Sequence, residues 1–226
     1  IYPQDYPWNN LDQIEKDWKT DPVVLDINSK EYKEIAQIFL DTIEPLMKKE
    51  KIIFTSIKRI QNRKLYERYY MTYQRICKKL QKLTTEGKDI QPSEKEVFGF
   101  HGTRNTLPEI IYNSEEGIDR RFTNAGAYGM GTYFAEKAAY SASPGFVYTK
   151  DGEYKLLLCR VCPGTMALRT CLDQGITDSI LAVNPNTGVR YDSVSDQPVN
   201  KVARVMYVIF QNDQSYPQWE LSWKLG

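Results

Sequence analysis

The sequence contains little of the residue types on which several common classes of protein depend. Among its 226 residues there are four cysteines and one histidine, and there is no Asn-x-Ser/Thr site for glycosylation. Four cysteines are too few for the disulfide framework of a domain of this size. These absences favour a reducing, intracellular compartment, and we expect the cytoplasm or the nucleus.

Long apolar runs are also missing. The longest ones, Leu156–Cys159 and Val205–Phe210, are far shorter than the roughly 20 residues that a membrane-spanning helix requires. The start of the chain shows no charged-then-apolar signal pattern. We therefore expect a soluble protein with no membrane partner. Because the first residue is Ile1 rather than Met, we also expect a fragment of a longer protein.

What the sequence does contain is typical of one ordinary globular domain. Hydrophobic residues make up 41% and charged residues 26% of the chain, and 30 Lys and Arg nearly balance 29 Asp and Glu. Such a composition lies far from the disordered, collagenous and coiled-coil extremes. We predict a single domain over residues 1–226, with an N-terminal extension at 1–22 and the domain proper at 23–226.

The order of the predicted elements indicates an α+β fold. Apolar residues spaced by three and four predict helices at Ser29–Lys48 and Arg63–Leu83, and a β-branched stretch between them predicts a strand at Lys51–Ile60. From residue 97 onward the pattern changes to short β-rich segments separated by turn residues. The strands predicted there are Val97–Phe100, Tyr154–Val161, Val202–Phe210 and Trp219–Trp223. Helices first and strands later are typical of an α+β domain rather than of a doubly wound sheet.

One segment is strongly basic although the whole chain is nearly neutral. Over Lys48–Lys82, twelve Lys or Arg are opposed only by Glu50 and Glu67, and four tyrosines interleave with them. Basic side chains neutralise phosphates and aromatic rings stack on bases, so this segment could bind nucleic acid. It could equally be a solvated helical face whose tyrosines cover the core. No nucleic-acid-binding motif accompanies it, and we expect at most weak contact with nucleic acid.

The single histidine, His101, lies at the end of a predicted strand and is followed by Gly102. Because glycine has no side chain, both the imidazole and a backbone amide are open to a ligand. A lone histidine is by itself more often a satisfied structural residue than a functional one. A second feature is needed to suggest a site.

A glycine-bracketed turn about thirty residues later supplies that feature. Gly129 and Gly131 flank one residue and lead directly into an aromatic stretch that begins at Tyr133. Two glycines at this spacing suggest the dinucleotide fingerprint, but the third glycine, the preceding strand and the following helix of a Rossmann motif are missing. A tight turn into a strand explains the glycines, though not Tyr133 together with Ser141 eight residues further on.

These segments combine with others in a specific order. The motifs are His101-Gly102-Thr103, Gly129-x-Gly131-x-Tyr133-Phe134-Ala135, Tyr140-Ser141, Tyr191-Asp192-Ser193-Val194 and Asp213-Gln214-Ser215-Tyr216-Pro217. Together they resemble the catalytic domain of the poly(ADP-ribose) polymerase family, which has the diphtheria-toxin-like ADP-ribosyltransferase fold. With Ile57–Asn62 and Leu65 ahead of them, the resemblance extends over most of residues 23–222. It is nearest to the mono-ADP-ribosylating subgroup, often found behind zinc-finger, WWE or macrodomain modules.

The resemblance implies two packed antiparallel sheets with flanking helices, which form a cleft for the co-substrate NAD, and it implies no metal. The Gly102 backbone and the Ser141 hydroxyl would bind the nicotinamide carboxamide, while Tyr133 would stack on the ring. Phe146, with Tyr148 as the second choice, would form the opposite aromatic wall. The NAD-binding residues that the resemblance implies are His101, Gly102, Thr103, Arg121, Tyr128, Tyr133, Ala135, Tyr140, Ser141 and Phe146.

The resemblance also places the rest of NAD. His101 would hydrogen-bond the adenosine-side ribose, with Thr103 nearby. The loop Asp119–Tyr128, with Arg120 and Arg121, would lie over the adenine and the pyrophosphate. Those two arginines could equally be solvated.

The family's catalytic triad of His, Tyr and Glu corresponds here to His101, Tyr133 and Met206. The family spacing, counted back eight residues from Gln214, places Met206 at the glutamate position. A thioether neither accepts a ribose hydrogen bond usefully nor acts as a base, although Met206 also suits the core of an apolar strand. The resemblance thus implies transfer of one ADP-ribose from NAD to protein side chains without chain elongation. Glu220 is the nearest late carboxylate, and the family assigns it no role.

Two other functions stay open. The chain could be a catalytically inactive module of the same fold, kept as a scaffold or for association with RNA. Retention of His101, Tyr133 and Ser141 argues against that alternative, because an inactive pocket has no evident need of all three. An NAD glycohydrolase, which passes ADP-ribose to water, would differ only in the acceptor.

The spacing of Cys159 and Cys162 signals zinc or a redox pair in other proteins. Here Cys159 falls within a predicted strand, the chain has one histidine, and no second pair with this spacing follows. We therefore expect neither a metal nor redox chemistry at this pair. Pro163-Gly164 predicts the turn that ends the strand.

Overall fold

A computed structural model describes residues 22–123, 126–169, 181–196 and 206–226 of the chain. This part is a mixed α/β structure with one large sheet and few helices. No helix within it is long and apolar enough to cross a membrane. Apart from Pro22, the predicted extension at 1–22 lies outside the described residues, so the division of the chain into extension and domain stays a prediction.

Helices and strands follow one another irregularly along the described residues, without the regular alternation of a doubly wound sheet. The helices are α1 Lys30–Thr42, α2 Arg63–Thr85, α3 Pro108–Tyr112 and α4 Ala138–Ser141, with short 3-10 turns at Lys49–Lys51, Arg120–Phe122 and Asn212–Gln214. The strands are β1 Val23–Val24, β2 Ile52–Arg59, β3 Ser93–Glu94, β4 Val97–His101, β5 Thr132–Ala135, β6 Tyr148–Lys150, β7 Glu153–Val161, β8 Gly164–Arg169, β9 Ser193–Asp196, β10 Met206–Ile209 and β11 Ser215–Leu225.

Helix α1 begins where the sequence predicts. The Ser29 hydroxyl accepts a hydrogen bond from the Tyr32 amide at 3.1 Å, which satisfies one of the amides left free at a helix start. The helix ends at Thr42 rather than at Lys48 as predicted. Pro45 explains the early end, because proline cannot donate a helical hydrogen bond and disfavours helical backbone at the residue before it. The buried residues of α1, which join the main core, are Ile35, Ala36 and Phe39.

Helix α2 is capped at its N-terminus by Asn62, whose side-chain carbonyl accepts a hydrogen bond from the Leu65 amide at 3.1 Å. Tyr66 packs edge-on against Tyr216 of β11, with ring centroids 5.2 Å apart. The buried positions recur mostly every three or four residues, as the predicted amphipathic pattern requires. They are Leu65, Tyr66, Tyr69, Thr72, Ile76, Leu80 and Leu83.

The described strands follow one hydrogen-bonded order, β1-β2-β11-β7-β4-β5-β10-β9-β8-β3, with β6 beside β7. The expectation of purely antiparallel pairing is wrong at β8 and β9, which run parallel. Two parallel neighbours need a long connection, because the chain must return to the end of the sheet at which the first strand began. The stretch between Arg169 and Ser193 is long enough for this. The division into two packed sheets stays a prediction.

Of the neighbouring strands in this order, β4 and β5 have the fewest paired residues. One residue pair, Phe100 opposite Ala135, connects them. By contrast, β4 pairs with β7 along Val97 to His101, and β5 pairs with β10 along its whole length. Because the pairing of β4 with β5 extends no further, their neighbouring residues are left to line a cavity.

The described strands bury a carboxylate, that of Glu220. The Glu220 side chain on β11 has 0% exposure and lies 3.2 Å from Lys155 Nζ and 3.4 Å from Lys58 Nζ. The Tyr112 hydroxyl donates a hydrogen bond to it at 3.1 Å. A buried charge is tolerated only with such partners. Glu220 therefore serves the packing of the sheet and is not among the described residues of the cavity wall.

Strands β8 and β9 are two of the strands that the sequence does not predict, and the short strands β1, β3 and β6 are others. Pro163-Gly164, predicted to be only a turn, leads directly into β8, and Gly164 has φ +65° with Asp192 packed where a Cβ would be. Strand β9 alternates serine with other residues and has too few apolar residues for the pattern to predict it. The strand predicted at Val202–Phe210 is confirmed over Met206–Ile209, and Val202–Val205 lies outside the described residues.

Candidate active site

A cavity of about 940 Å³ opens beside the join between β4 and β5. This volume lies in the range of small-molecule sites, roughly 300–1,000 Å³. The fold brings residues that are distant in sequence to its wall. The predicted site residues that line it are His101, Gly102, Thr103, Arg121, Tyr128, Tyr133, Tyr140, Ser141, Phe146 and Met206.

His101, at the end of β4, is held by Tyr133 of β5. Its Nδ1 lies 2.9 Å from the Tyr133 carbonyl oxygen. A carbonyl only accepts, so Nδ1 carries the proton and donates. Burial is the larger influence and lowers the pKa of His101, while the hydrogen bond to Tyr133 acts in the opposite direction. At neutral pH the ring is therefore uncharged, and Nε2 can accept a hydrogen bond from a hydroxyl group.

The ring of Tyr133 is anchored through its hydroxyl. This hydroxyl donates to the Gly129 carbonyl at 2.8 Å and accepts from the Tyr128 amide at 2.8 Å. Burial raises the pKa of Tyr133 to about 12, so the hydroxyl stays protonated at neutral pH. Gly129 permits the turn because its φ is +105°. The anchored ring presents a fixed aromatic face to the cavity.

Gly102 and Ser141 lie side by side at the cavity. A Cβ on Gly102 would lie 2.7 Å from the Ser141 carbonyl oxygen and would also overlap the Phe146 carbonyl, so no larger residue fits. The Ser141 hydroxyl donates to the Phe100 carbonyl at 2.8 Å. Its one proton is thereby used, which leaves its lone pairs to accept a hydrogen bond from a ligand.

Phe146 forms an open aromatic part of the wall. Its side chain is 46% exposed and stacks on Tyr140, with ring centroids 5.2 Å apart and planes inclined by 18°. Tyr148, the second choice for this role, is not among the described residues of the cavity wall and borders a smaller cavity with Lys150 and Lys155. The geometry therefore favours Phe146.

Met206 begins β10 directly opposite Ala135 of β5. Its side chain is 3% exposed and contributes to the cavity wall, while its amide donates to the Asp196 carboxylate. Ala135 is buried with Ala167 and Val194, and it is not among the described residues that line the cavity. Of the predicted site residues, Ala135 is thus the one that the fold places behind the wall.

The two loop arginines predicted near the pyrophosphate are placed differently. Arg121 lines the cavity, but its guanidinium is bound by Asp119, with Arg121 Nη2 2.6 Å from a carboxylate oxygen. Hydrogen bonding to Arg121 lowers the pKa of Asp119. Arg120 is not among the described lining residues. Arg104, which the sequence analysis does not single out, does line the cavity.

Side chains behind the wall hold the loop that carries Asp119. Arg68 of α2 donates to the Glu115 carbonyl at 2.8 Å and pairs with Glu116 at 2.9 Å and Asp213 at 2.8 Å. Hydrogen bonding to Arg68 lowers the pKa of Glu116. Sequence reasoning misses this clamp because its partners lie on different elements, and no local pattern marks them.

The cavity mouth carries two exposed apolar side chains that sequence reasoning also misses. Ile110 of α3 is 63% exposed and Phe122 is 85% exposed, and both belong to the lining. Exposed apolar groups beside a cavity are typical of a binding surface. The sequence does not indicate that Ile110 and Phe122 are exposed, because an isolated apolar residue in such a segment is expected to be part of the core.

The basic segment Lys48–Lys82 is largely neutralised in the fold. Tyr66 and Tyr69 are buried, and the ring of Tyr70 stacks on the ring of Tyr66. These contacts weigh against a free phosphate-binding face, and contact with nucleic acid stays a prediction. At least seven of its twelve basic side chains pair with carboxylates of the described residues, namely Lys49, Lys58, Arg59, Arg63, Arg68, Lys79 and Lys82.

Cys159 and Cys162 are buried free thiols. Burial raises the pKa of Cys162 to about 12, which keeps the thiol protonated and unreactive. Among the described residues, no group of three His, Cys, Asp or Glu side chains is arranged to hold a metal ion. Cys171 lies outside those residues.

Comparison with known proteins identifies the family. A family model described as the poly(ADP-ribose) polymerase catalytic domain matches residues 29–224, which is most of the chain. The chain therefore belongs to the poly(ADP-ribose) polymerase family, and the resemblance that its motifs indicate is confirmed.

Curated relatives carry names of the same family. A probable poly(ADP-ribose) polymerase of Dictyostelium discoideum is 27% identical over 227 residues, which cover 99% of this chain and 58% of that protein. Protein mono-ADP-ribosyltransferase PARP14 of Homo sapiens is 31% identical over 178 residues, 74% of this chain and 8% of that protein. Protein mono-ADP-ribosyltransferase PARP12 of Mus musculus is 28% identical over 204 residues, 87% of this chain and 24% of that protein. The chain thus spans less than two thirds of each of these relatives.

Proposed function

We propose that this chain transfers a single ADP-ribose from NAD to protein side chains and releases nicotinamide. The observation that supports this most strongly is that His101, Tyr133 and Ser141 meet at one cavity in which Met206 takes the place of the family's glutamate. The relatives named mono-ADP-ribosyltransferases support the transfer of one unit.

The chemistry of the cavity wall suits NAD. Tyr133 and Phe146 offer aromatic faces to the nicotinamide ring. The Gly102 amide and the Ser141 hydroxyl offer one donor and one acceptor, which match the carbonyl and the amino group of a carboxamide. His101 Nε2 offers an acceptor to a hydroxyl of the adenosine-side ribose. A volume of about 940 Å³ is at the upper end for a small-molecule site, as a dinucleotide requires.

Positioning and electrostatics supply the rate in this proposal. Cleavage of the bond between the nicotinamide nitrogen and its ribose leaves the electron pair on nitrogen and an electron-poor ribose carbon, which the acceptor attacks with loss of a proton. Tyr133 and Phe146 would hold the ring, while Gly102 and Ser141 would fix its rotation. The leaving group is then aligned for departure before the acceptor arrives.

Met206 determines how many units are transferred. A glutamate at this position would accept a hydrogen bond from the nicotinamide ribose and help to deprotonate an incoming ADP-ribose hydroxyl. The thioether of Met206 is a weak acceptor and no base. Elongation therefore lacks its general base, whereas the first acceptor loses its proton to solvent.

The experiment that tests the proposal is incubation with NAD labelled in its adenylate part. Nicotinamide release and the gel pattern of labelled protein are followed together. His101→Ala and Tyr133→Ala serve as variants of the site, and Ser143→Ala, outside the described lining, serves as the matched control. We expect discrete labelled bands that both site variants lose and the control retains.

Each other outcome identifies a different function. Nicotinamide release without labelled protein would indicate a glycohydrolase, and a polymer smear would contradict the role given to Met206. Absence of turnover would favour the inactive binding or scaffold module.

Acceptor proteins, the absence of a metal and an intracellular location, cytoplasmic or nuclear, belong to the same proposal. The free thiols of Cys77, Cys159 and Cys162 support a reducing compartment. Microscopy of the tagged full-length protein tests the location, and addition of a chelator to the transfer assay tests the independence from metal.

A further inference from the structure

Arg104 has an unusual backbone conformation at the cavity. Its φ is +54°, in the left-handed region that residues other than glycine mostly avoid. The Thr106 amide donates to the Thr103 carbonyl at 3.0 Å, so Arg104 is the second residue of a tight turn. Glycine, asparagine and aspartate dominate such a position when φ is positive, and an arginine there needs a reason.

Hydrogen bonds on both sides hold Arg104 in this conformation. Its amide donates to the Phe146 carbonyl at 2.7 Å, and the Thr103 hydroxyl donates to the Thr106 carbonyl at 2.6 Å. Phe146 and Thr103 themselves line the cavity. The turn is therefore part of the cavity wall, and Arg104 is fixed to it by the backbone.

Among the described residues, the charges around the cavity leave Arg104 without a counter-ion. Glu116 pairs with Arg68, and Asp119 pairs with Arg121. The guanidinium of Arg104 has no ion pair or hydrogen bond with the described part of the chain. Glu115, the remaining carboxylate of the described lining, is exposed to solvent. Within the described wall, Arg104 is thus the cation that is available to an anionic ligand.

We propose that Arg104 binds the pyrophosphate of NAD, an inference that rests on the proposed function. The two phosphates carry the only negative charges of NAD, and a guanidinium donates paired hydrogen bonds to phosphate oxygens. Arg104 lies two residues beyond Gly102, the proposed carboxamide donor, on the same cavity wall. Arg121, which the resemblance suggests for this part of NAD, is already bound by Asp119. The strained backbone at Arg104 is then explained by its ligand.

The test is calorimetric binding of three probes, NAD, ADP-ribose and nicotinamide, to the unaltered chain and to Arg104→Gly and Arg104→Lys. The loss of charge-assisted hydrogen bonds should raise the Kd of Arg104→Gly for NAD and ADP-ribose by about ten- to hundredfold. Nicotinamide, which has no phosphate, should bind unchanged, and Arg104→Lys should recover part of the loss. Arg75→Ala is the control, because Arg75 lies on α2 with its guanidinium on Gln211 and outside the described lining.

The melting temperature separates binding from structure. Glycine adopts a positive φ freely, so Arg104→Gly should melt at the same temperature as the unaltered chain or higher. A clear fall in melting temperature, or a parallel loss of nicotinamide affinity, would indicate a structural role and overturn the assignment.

The remaining outcomes also test whether Arg104 binds the pyrophosphate. Unchanged NAD affinity in Arg104→Gly overturns the assignment, and if transfer is lost at the same time, Arg104 acts on the acceptor. An unaltered chain that binds NAD but transfers nothing contradicts the proposed function and leaves the assignment of Arg104 to be judged by its own variants. An unaltered chain that binds neither NAD nor ADP-ribose overturns both.

Discussion

The Nδ1 atom of His101 and the carbonyl oxygen of Tyr133 lie 2.9 Å apart and link a side chain of β4 to the backbone of β5. The link stands beside the single residue pair that joins those strands. It therefore fixes the tautomer of the imidazole and ties His101 to Tyr133 at the cavity wall. This hydrogen bond should affect how the reaction rate and the stability of the fold depend on pH.

We expect the rate of nicotinamide release to be flat above neutral pH and to fall on the acid side. The imidazolium form of His101 has no free lone pair, so it cannot accept a hydrogen bond at Nε2. Because burial lowers the pKa of His101, the fall should begin below the ordinary histidine value of about 6.5. Initial rates across a pH series give the midpoint. A midpoint above about 6.5 would contradict the neutral, half-buried imidazole.

The same pKa shift affects stability. The unfolded chain binds the proton of His101 more readily than the folded chain, so the contribution of the neutral ring is present above about pH 6.5 and is lost as the pH falls below it. His101→Gln should remove this acid-side slope from a plot of the free energy of unfolding against pH. The slope would persist in the variant if other groups caused it.

Ser141→Ala should weaken NAD binding by roughly 1–3 kcal/mol, because the carboxamide amino group then meets no acceptor. Ser143→Ala is the matched control: its hydroxyl donates to the Tyr140 carbonyl at 2.5 Å, and it lies outside the described lining. Calorimetric titration of both variants with NAD checks the difference. Equal affinity in the two would remove Ser141 from the proposed carboxamide site.

Met206→Glu alone should not produce long polymer. Elongation also needs a site for the growing chain, and a carboxyl at this 3% exposed position has its pKa raised by burial. Gel analysis of the labelled product measures its length, with Met206→Leu as the apolar control that should keep single transfer. Ladders of polymer from Met206→Glu would show that the residue at position 206 is sufficient to set product length.

Glu220→Gln should destabilise the fold by about 1–3 kcal/mol, because Lys155 and Lys58 then lose their buried negative partner and keep only the partly exposed carboxylates of Glu153 and Glu109. The contrasting case is Glu34→Gln, which breaks the exposed pair with Lys30 and should have little measurable effect. Urea unfolding of both variants gives the two free energies. Equal values would mean that the buried pair contributes no more than a surface pair.

Arg68→Ala should raise the KM for NAD with little change in kcat. The side chain holds Glu115 and Glu116 at the cavity wall without belonging to the described lining itself. Steady-state rates compared with those of Arg75→Ala, on the same helix, isolate the effect. A loss of kcat with unchanged KM would indicate that the clamp acts on the chemical step rather than on the shape of the site.

Local chemistry explains what the sequence predicted well. The Ser29 cap and the apolar spacing behind it predicted the start of α1, and the β-branched run predicted β2. The motifs around His101 and Ser141 predicted which residues meet at the cavity, because the family resemblance carries that information across the chain. Each of these signals is either contiguous in sequence or part of a known motif.

Relations between distant elements could not be predicted in this way. The parallel pairing of β8 with β9 depends on how a long connection returns, and no residue pattern records it. Arg121 was assigned to NAD by resemblance, yet its ion pair with Asp119 depends on side-chain conformations that the sequence does not specify. The positive φ of Arg104 breaks the local rule for turns, and so no turn signal pointed to it.

Strand β11 lies between β2 and β7, and it pairs with both along most of its length. During synthesis, its two neighbours are made well before residues 215–225 exist, so the sheet lacks an interior strand until these residues have been added. Contacts of such large sequence separation form slowly and leave strand edges unpaired in the meantime. A ribosome-bound chain that stops short of β11 should accordingly remain a client of chaperones, and the sheet beside the cavity should stay incomplete until this strand has emerged.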